Sequence, residues 1–209
     1  MAGLNNRIGI FGGTFDPPHL GHLILAEESV DQLRLDRLYW VLTPDPPHKR
    51  AKKLTPNEIR FFLVKAAIRN NKSFRFSRAD MDRPGPHFTL DTVKIIKEQN
   101  PSAEIFYLIG GDSLHDFPNW YRPQELLDNL TGLGVMRRPG DQVDLEQLEK
   151  TLPGIMNKLI FIDAPLLEIA SNEIRKRICF KKPYRYYLPE SVYKIIEKNN
   201  YYLENLPDE

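Results

Sequence analysis

Residues 9–22 read GIFGGTFDPPHLGH, the most informative stretch of the chain. An apolar run, Ile8 to Phe11, breaks at Gly12 and Gly13 and turns through Asp16, Pro17 and Pro18. It then presents His19 and His22 at the opening of an amphipathic segment. That order is a strand, a turn and a helix start. Glycines let the backbone approach a bulky anion, and a helix N-terminus offers unpaired N–H groups to phosphate oxygens. Pro18 suits a first turn, where its missing donor is not needed. Two imidazoles three residues apart in a first helical turn face the same way, so both are expected to point at one phosphate. A Gly-Gly turn or a lone histidine each has ordinary structural uses; the joint occurrence is what carries the signal.

The string resembles the G-x-F-D-P-x-H-x-G-H signature of the nucleotidyltransferase superfamily, which also includes the HIGH motif of class I aminoacyl-tRNA synthetases. Gly13, Phe15, Asp16, Pro17, His19, Gly21 and His22 match it in register.

Outward from this stretch, short apolar or aromatic runs recur at Ile8–Phe11, Leu38–Leu42, Phe74–Ser77, Ile105–Ile109, Leu133–Met136 and Leu159–Ile162. These are the strand candidates, with helical patterns between them. The second helix is expected to start with Thr55 as N-cap, Pro56 at the first position and Glu58 three residues after the cap. Ile59, Phe62, Leu63 and Ala66 would then share its apolar face. Strands alternating with helices at this spacing predict an α/β fold: a doubly wound, Rossmann-like parallel sheet with helices on both faces. A small helical C-terminal segment, about 166–209, would complete one domain spanning residues 1–209.

Lys and Arg number 29 against 28 Asp and Glu, a net charge of +1. That balance gives no global attraction to a nucleic-acid backbone or an anionic membrane, so no nucleic acid and no membrane are expected as partners. No apolar run approaches the roughly 20 residues of a membrane span, and Met1–Arg7 lacks a secretory apolar region. The single cysteine, Cys179, has no zinc-type spacing around it. It fits a reducing, cytoplasmic setting.

In doubly wound sheets ligands sit beyond the carboxyl ends of the strands, where strand order reverses. Polar residues fall there repeatedly. The Gly-His segment follows strand one, Thr43–Lys49 strand two, and a loop ending Pro86-His-Phe-Thr89 strand three. Gly110-Gly-Asp-Ser-Leu follows strand four, Arg137-Arg-Pro-Gly140 strand five, and Glu168–Arg175 strand six. Ser171 or Asn172 reads as a helix cap, or with Arg175 as a second phosphate clamp. Asp112 reads as a ribose ligand or as the cap of the next helix, and the two roles can coexist. Trp120, in a loop bearing Pro and Asn, is placed to stack on a flat ring. Thr89 reads independently as an N-cap. Lys176, Arg177, Lys181, Lys182 and Arg185 form a locally basic stretch. Val192, Ile195 and Ile196 suit the packed face of a closing helix with Pro189 near its start.

Over nearly its full length the sequence resembles the bacterial nicotinate-nucleotide adenylyltransferase family. The resemblance is carried by GGTFDPPHLGH, Pro46-Pro-His-Lys49, His87-Phe-Thr-Leu-Asp-Thr92, Gly-Asp-Ser-Leu with Trp120, Arg138-Pro-Gly140, and Arg185-Tyr-Tyr-Leu-Pro189 leading to Tyr201. Ile169-Ala-Ser-Asn-Glu-Ile-Arg175 is similar to the superfamily's I-S-S-T-x-x-R element, with Ala170 and Asn172 departing from it.

The resemblance implies transfer of AMP from ATP to nicotinate mononucleotide, giving deamido-NAD and pyrophosphate. It implies His19, His22 and Arg175 as catalytic residues. Its ATP site would comprise Gly12, Gly13, Thr14, Phe15, His19, His22, Gly110, Asp112, Arg138, Ser171 and Arg175. Its nicotinate-nucleotide site would comprise Lys49, Thr89, Trp120 and Tyr121. No protein metal site is read; magnesium is expected with the ATP phosphates. ATP and nicotinate mononucleotide are the expected partners, and a homo-oligomer is compatible with the sequence. Alternatives are the same transfer to nicotinamide mononucleotide or phosphopantetheine, and a non-catalytic ATP-binding sensor.

Overall fold

A computed structural model describes residues 6–45, 54–136, 143–165 and 167–203. Six strands form one sheet: β1 (Arg7–Gly13), β2 (Arg37–Leu42), β3 (Phe74–Ser77), β4 (Glu104–Gly110), β5 (Gly132–Met136) and β6 (Leu159–Ile162). Each contains or coincides with a run expected from the sequence. All five neighbouring pairs are parallel, in the order β3-β2-β1-β4-β5-β6. The chain winds outward from β1 to β3, then crosses to β4 and winds outward again, so the order reverses between β1 and β4. The expected doubly wound sheet is what the chain forms.

Its strands read as continuous apolar runs because a parallel sheet is covered on both faces. Alternate residues of β4 divide accordingly. Ile105, Tyr107 and Ile109 join a core with Leu90, Val93 and Ile96 of α3 (Thr89–Gln99) and Leu126 and Leu127 of α5 (Pro123–Asp128). Phe106 and Leu108 join the opposite core, with Leu25 and Ala26 of α1 (Leu20–Gln32) and Val64 and Ile68 of α2 (Asn57–Ile68). Two short helices, α4 (Gly111–Asp116) and α6 (Leu145–Thr151), follow β4 and β5.

The C-terminal part builds a third core. Ile174 and Ile178 of α7 (Ser171–Cys179), Val192 and Ile196 of α8 (Glu190–Asn199), and Tyr202 pack with Leu63 of α2. Val192, Ile195 and Ile196 thus pack as expected, with Pro189 capping α8.

Helix α2 departs from its expected start. Pro56 stands at the N-cap with extended backbone (φ −48°, ψ 140°), and the helix begins at Asn57. The Thr55 hydroxyl binds Tyr202 instead of capping. Phe62, expected on the apolar face, is 61% exposed. The helix is covered on two sides, by the sheet-side core through Val64 and Ile68 and by the third core through Ile59, Leu63 and Ala66, and Phe62 belongs to neither. Among the described residues no helix is long and apolar enough to cross a membrane.

Candidate active site

Beyond Gly13 the backbone enters the left-handed region at Phe15 (φ 46°), and this turns the Phe15 ring into the core, 1% exposed. There it meets Phe11 edge-on at 5.3 Å and Trp40 at 5.0 Å. One residue further on, the Asp16–Pro17 peptide bond is cis. Asp16 is itself buried, its carboxylate accepting the Thr55 N–H at 3.1 Å and the Tyr202 hydroxyl at 2.9 Å.

Helix α1 then begins at Leu20, with His19 as its N-cap in extended conformation (φ −137°, ψ 174°). This corrects one expectation: only His22 stands in the first helical turn. The rings nevertheless converge, stacked with centroids 3.7 Å apart at 29°. The backbone N–H of His19 donates to Nδ1 of His22 at 3.2 Å. A neutral His22 therefore carries its proton on Nε2, which becomes a hydrogen-bond donor. The Phe15 ring, edge-on at 5.2 Å, holds the other side of His22. At Gly21 a Cβ would come within 3.2 Å of the His19 ring, so a side chain there would press on that imidazole by a few tenths of an ångström.

A cavity of about 500 Å³ opens at the carboxyl ends of β1 and β4, at the reversal of strand order. Gly12, Gly13, Thr14, Gly110, Thr89, Trp120 and Tyr121 line it, all expected from the sequence. Trp120 packs edge-on against Tyr107 and tilted against Phe117, so its plane is fixed before any ligand enters. Tyr121 stacks on Phe88 with centroids 4.1 Å apart. Phe88, not Thr89, occupies the N-cap of α3; the Thr89 Oγ1 lies 3.5 Å from the Tyr107 hydroxyl, a tertiary partner in place of the local one.

Tyr107, Asp80 and Thr43 line the same cavity, the first two without a role assigned from the sequence. Tyr107 is buried, and burial pushes its hydroxyl up to about 12; the hydrogen bond with Thr89 opposes that shift and the nearby Asp80 charge adds to it. It is a neutral hydroxyl at any working pH. The buried Asp80 carboxylate accepts from Thr92 Oγ1 at 2.5 Å, Arg83 Nη2 at 3.0 Å and Thr43 Oγ1 at 3.4 Å. Thr43 opens the polar segment already expected after β2, and Asp80 comes shortly after β3, so the same rule extends to it.

Below the loops lies Arg60, with no exposed surface. Its guanidinium donates to the carbonyls of Thr55 (2.8 Å), Thr14 (2.8 Å), Thr43 (3.0 Å) and Pro44 (2.9 Å), and to Oδ1 of Asn57. Burial lowers its pKa and the neighbouring Asp16 charge opposes that shift. One side chain thus ties the loop after β1 to the loop after β2. An arginine inside an apolar helix face was the available signal.

The Ser171 and Arg175 pair arrives from the far end of the chain. Ala170 caps α7, so Ser171 is not the cap; its hydroxyl donates to the Pro17 carbonyl at 2.9 Å. Arg175 Nη1 donates to the Asp16 carbonyl at 2.6 Å. Oδ1 of Asn172 accepts the N–H of Glu173. The two clamp residues and the two histidines therefore gather about one turn. At β4 the cap of α4 is Gly110, which decides against Asp112 as cap. The Asp112 carboxylate folds back to within 2.7 Å of the position a Gly110 Cβ would take. Lys49 and Arg138, with their loops, lie outside the described residues.

Among the described residues no group of three or more His, Cys, Asp or Glu side chains is arranged to hold a metal ion. The turn instead presents imidazoles, a hydroxyl and a guanidinium, a set suited to phosphate oxygens.

The family model described as cytidylyltransferase-like matches residues 10–177. The nicotinate-nucleotide adenylyltransferase of Bacillus subtilis (strain 168) is 40% identical over 196 residues, covering 94% of this chain and 98% of that protein. A probable nicotinate-nucleotide adenylyltransferase of Thermomicrobium roseum is 38% identical over 197 residues, covering 94% and 92%. The fold is shared with Plasmodium falciparum nicotinic acid mononucleotide adenylyltransferase complexed with APC, at a TM-score of 0.77 and 22% identity, covering 97% of this chain and 100% of that one. Sequence identity, coverage and architecture agree: the chain belongs to the nicotinate-nucleotide adenylyltransferase family, nucleotidyltransferases that carry out adenylyl transfer in NAD biosynthesis.

Proposed function

We propose that the Gly12–His22 turn holds the phosphates of ATP and the Trp120 cavity holds nicotinate mononucleotide, with the whole chain acting as one nucleotidyltransferase domain. A phosphate oxygen of the mononucleotide attacks the α-phosphorus in line. The new P–O bond forms as the bond to the β-phosphate oxygen breaks, and pyrophosphate leaves. No covalent enzyme intermediate is needed, because the nucleophile already carries negative charge. The difficulty is repulsion between anions and charge building on the leaving group, so positioning and electrostatic stabilisation are the catalytic terms.

The observation that carries this reading is the stacked His19–His22 pair, with Nε2–H of His22 set as a donor by the His19 backbone. His19 and His22 contact the α-phosphate, and Ser171 and Arg175 the β and γ end. Thr14, Phe15, Gly110, Asp112 and Arg138 complete the ATP site. Trp120 stacks on the pyridine ring, Thr89 and Tyr121 hold its carboxylate, and Lys49 meets the acceptor phosphate.

No side-chain cluster among the described residues would hold magnesium; an ion bound with the triphosphate would supply positive charge to offset the pyrophosphate as it leaves. The substrate pair is supported by the B. subtilis relative's name and by the Plasmodium structures complexed with APC and with NaAD. A cytoplasmic location belongs to the same reading.

The test is incubation with ATP, magnesium and, separately, nicotinate mononucleotide, nicotinamide mononucleotide and phosphopantetheine, following pyrophosphate and the adenylylated product. Deamido-NAD formed faster than either alternative supports the reading. Product with another acceptor only would overturn the acceptor and keep the reaction class.

A further inference from the structure

Three contacts from the C-terminal part of the chain land on two consecutive residues of the phosphate turn. Ser171 donates to the Pro17 carbonyl, Arg175 to the Asp16 carbonyl, and Tyr202 to the Asp16 carboxylate, across sequence separations of 154, 159 and 186 residues. Ser171 and Arg175 are also assigned to ATP, so their hold on the turn competes with ligand. Tyr202 is 6% exposed and lies in the third core, away from the cavity lining. Its hydroxyl donates to the turn from outside the cavity.

The route by which the chain delivers that hydroxyl is unusual. Helix α8 ends at Asn199, Asn200 caps it in the left-handed region (φ 54°), and Tyr202 itself has φ 70°. A bulky residue rarely adopts such a backbone, and where it does the surroundings hold it there. Here the reversal turns the ring inward between α2, α7 and α8. At its tip the oxygen donates to Asp16 and is reached by the Thr55 hydroxyl, beside the buried charge of Arg60 and the half-buried charge of Arg175. The other Asp16 carboxylate oxygen is taken by the Thr55 N–H. Burial and the Asp16 charge drive the Tyr202 pKa well above the ordinary tyrosine value, so the group remains a donor.

We propose that Tyr202 is a positioning residue for adenylyl transfer: its hydroxyl fixes the Asp16 carboxylate, and through it the turn that sets His19 and His22 against the α-phosphate. The inference rests on the proposed role of the two histidines. It differs from a packing role for Tyr202, which the ring alone would fill.

Tyr202→Phe separates the two, because it keeps the ring and removes one oxygen. The account predicts kcat lower by roughly tenfold to a hundredfold, the range expected from a small misplacement of catalytic groups. It predicts unchanged affinity for nicotinate mononucleotide, read from Trp120 fluorescence with ATP absent, since the Trp120 wall does not touch Tyr202. A kcat within about twofold of wild type would overturn the proposal. So would a parallel loss of kcat, mononucleotide affinity and thermal stability, which is the mark of general loosening.

If Tyr202→Phe fails to fold at the assay temperature, Asp16→Ala removes the acceptor of the same contact, and a wild-type kcat there overturns it equally. His22→Ala is assayed alongside. If it is slow while Tyr202→Phe is normal, only the Tyr202 inference fails; if His22→Ala is itself normal, the histidine reading fails.

Discussion

Replacement of Arg60 by methionine removes every polar contact of this side chain while keeping its approximate length. Four backbone carbonyls and the Asn57 side chain lose their donor, and the buried Asp16 loses a neighbouring positive charge. Each hydrogen bond from a charged donor contributes about 1.5–3 kcal/mol net when measured singly. Five such bonds overstate the loss, because mutation also removes the cost of burying a guanidinium, itself several kcal/mol. The net expectation is the loss of about 3–5 kcal/mol seen when a buried polar network is broken from one side. At roughly 2–4 °C per kcal/mol for a chain of this size, Tm should fall by roughly 6–20 °C. Urea unfolding followed by circular dichroism measures the free energy, and a thermal scan the midpoint. Arg60→Lys keeps the charge but offers three donors for five acceptors, and should recover part of the loss. Arg60→Met within about 1 kcal/mol of wild type would refute the view that this residue holds the loops after β1 and β2 together.

Two further outcomes follow from the Tyr107 hydroxyl. A Cβ at Gly12 would lie 2.6 Å from its oxygen but 3.6 Å from ring carbon Cζ. Gly12→Ala should therefore cost about 1–3 kcal/mol and raise KM for the mononucleotide, while Gly12→Ala with Tyr107→Phe recovers most of both; no recovery in the double variant would contradict the contact. The pKa of about 12 against the ordinary 10.0 means the folded state keeps this proton after the unfolded chain has lost it. Stability is then full below about pH 10 and declines by up to roughly 3 kcal/mol as pH rises toward 12. Urea midpoints between pH 9 and 11 should fall less steeply in Tyr107→Phe than in wild type, and parallel slopes would count against it.

All six strands were legible because a doubly covered parallel sheet needs uninterrupted apolar runs, and such runs are local properties of the chain. Helix starts were less legible, for one physical reason. Thr55, Thr89 and Ser171 each carry the hydroxyl of a good N-cap, yet each spends it on a distant partner: Tyr202, Tyr107 and the Pro17 carbonyl. A cap signal states that a hydroxyl has a local use; it is silent about a better use supplied by the tertiary fold. The residues that hold the site from beneath, Arg60, Asp80 and Tyr202, were hidden for the same reason, since their partners come from elsewhere in the chain. The residues proposed to face ligand were more readable. Their glycines, histidines and loop aromatics interrupt otherwise regular patterns, which is where functional sites depart from foldability rules.

The most direct test of the account is the single-turnover rate of His22→Ala with ATP, magnesium and nicotinate mononucleotide, measured on protein shown to be folded by circular dichroism. His22 donates from Nε2 to the reacting phosphate in this account, and loss of one such donor should slow the chemical step by roughly a hundredfold to a thousandfold. The mononucleotide affinity read from Trp120 should be unaffected. A folded His22→Ala protein that turns over at the wild-type rate would contradict the account.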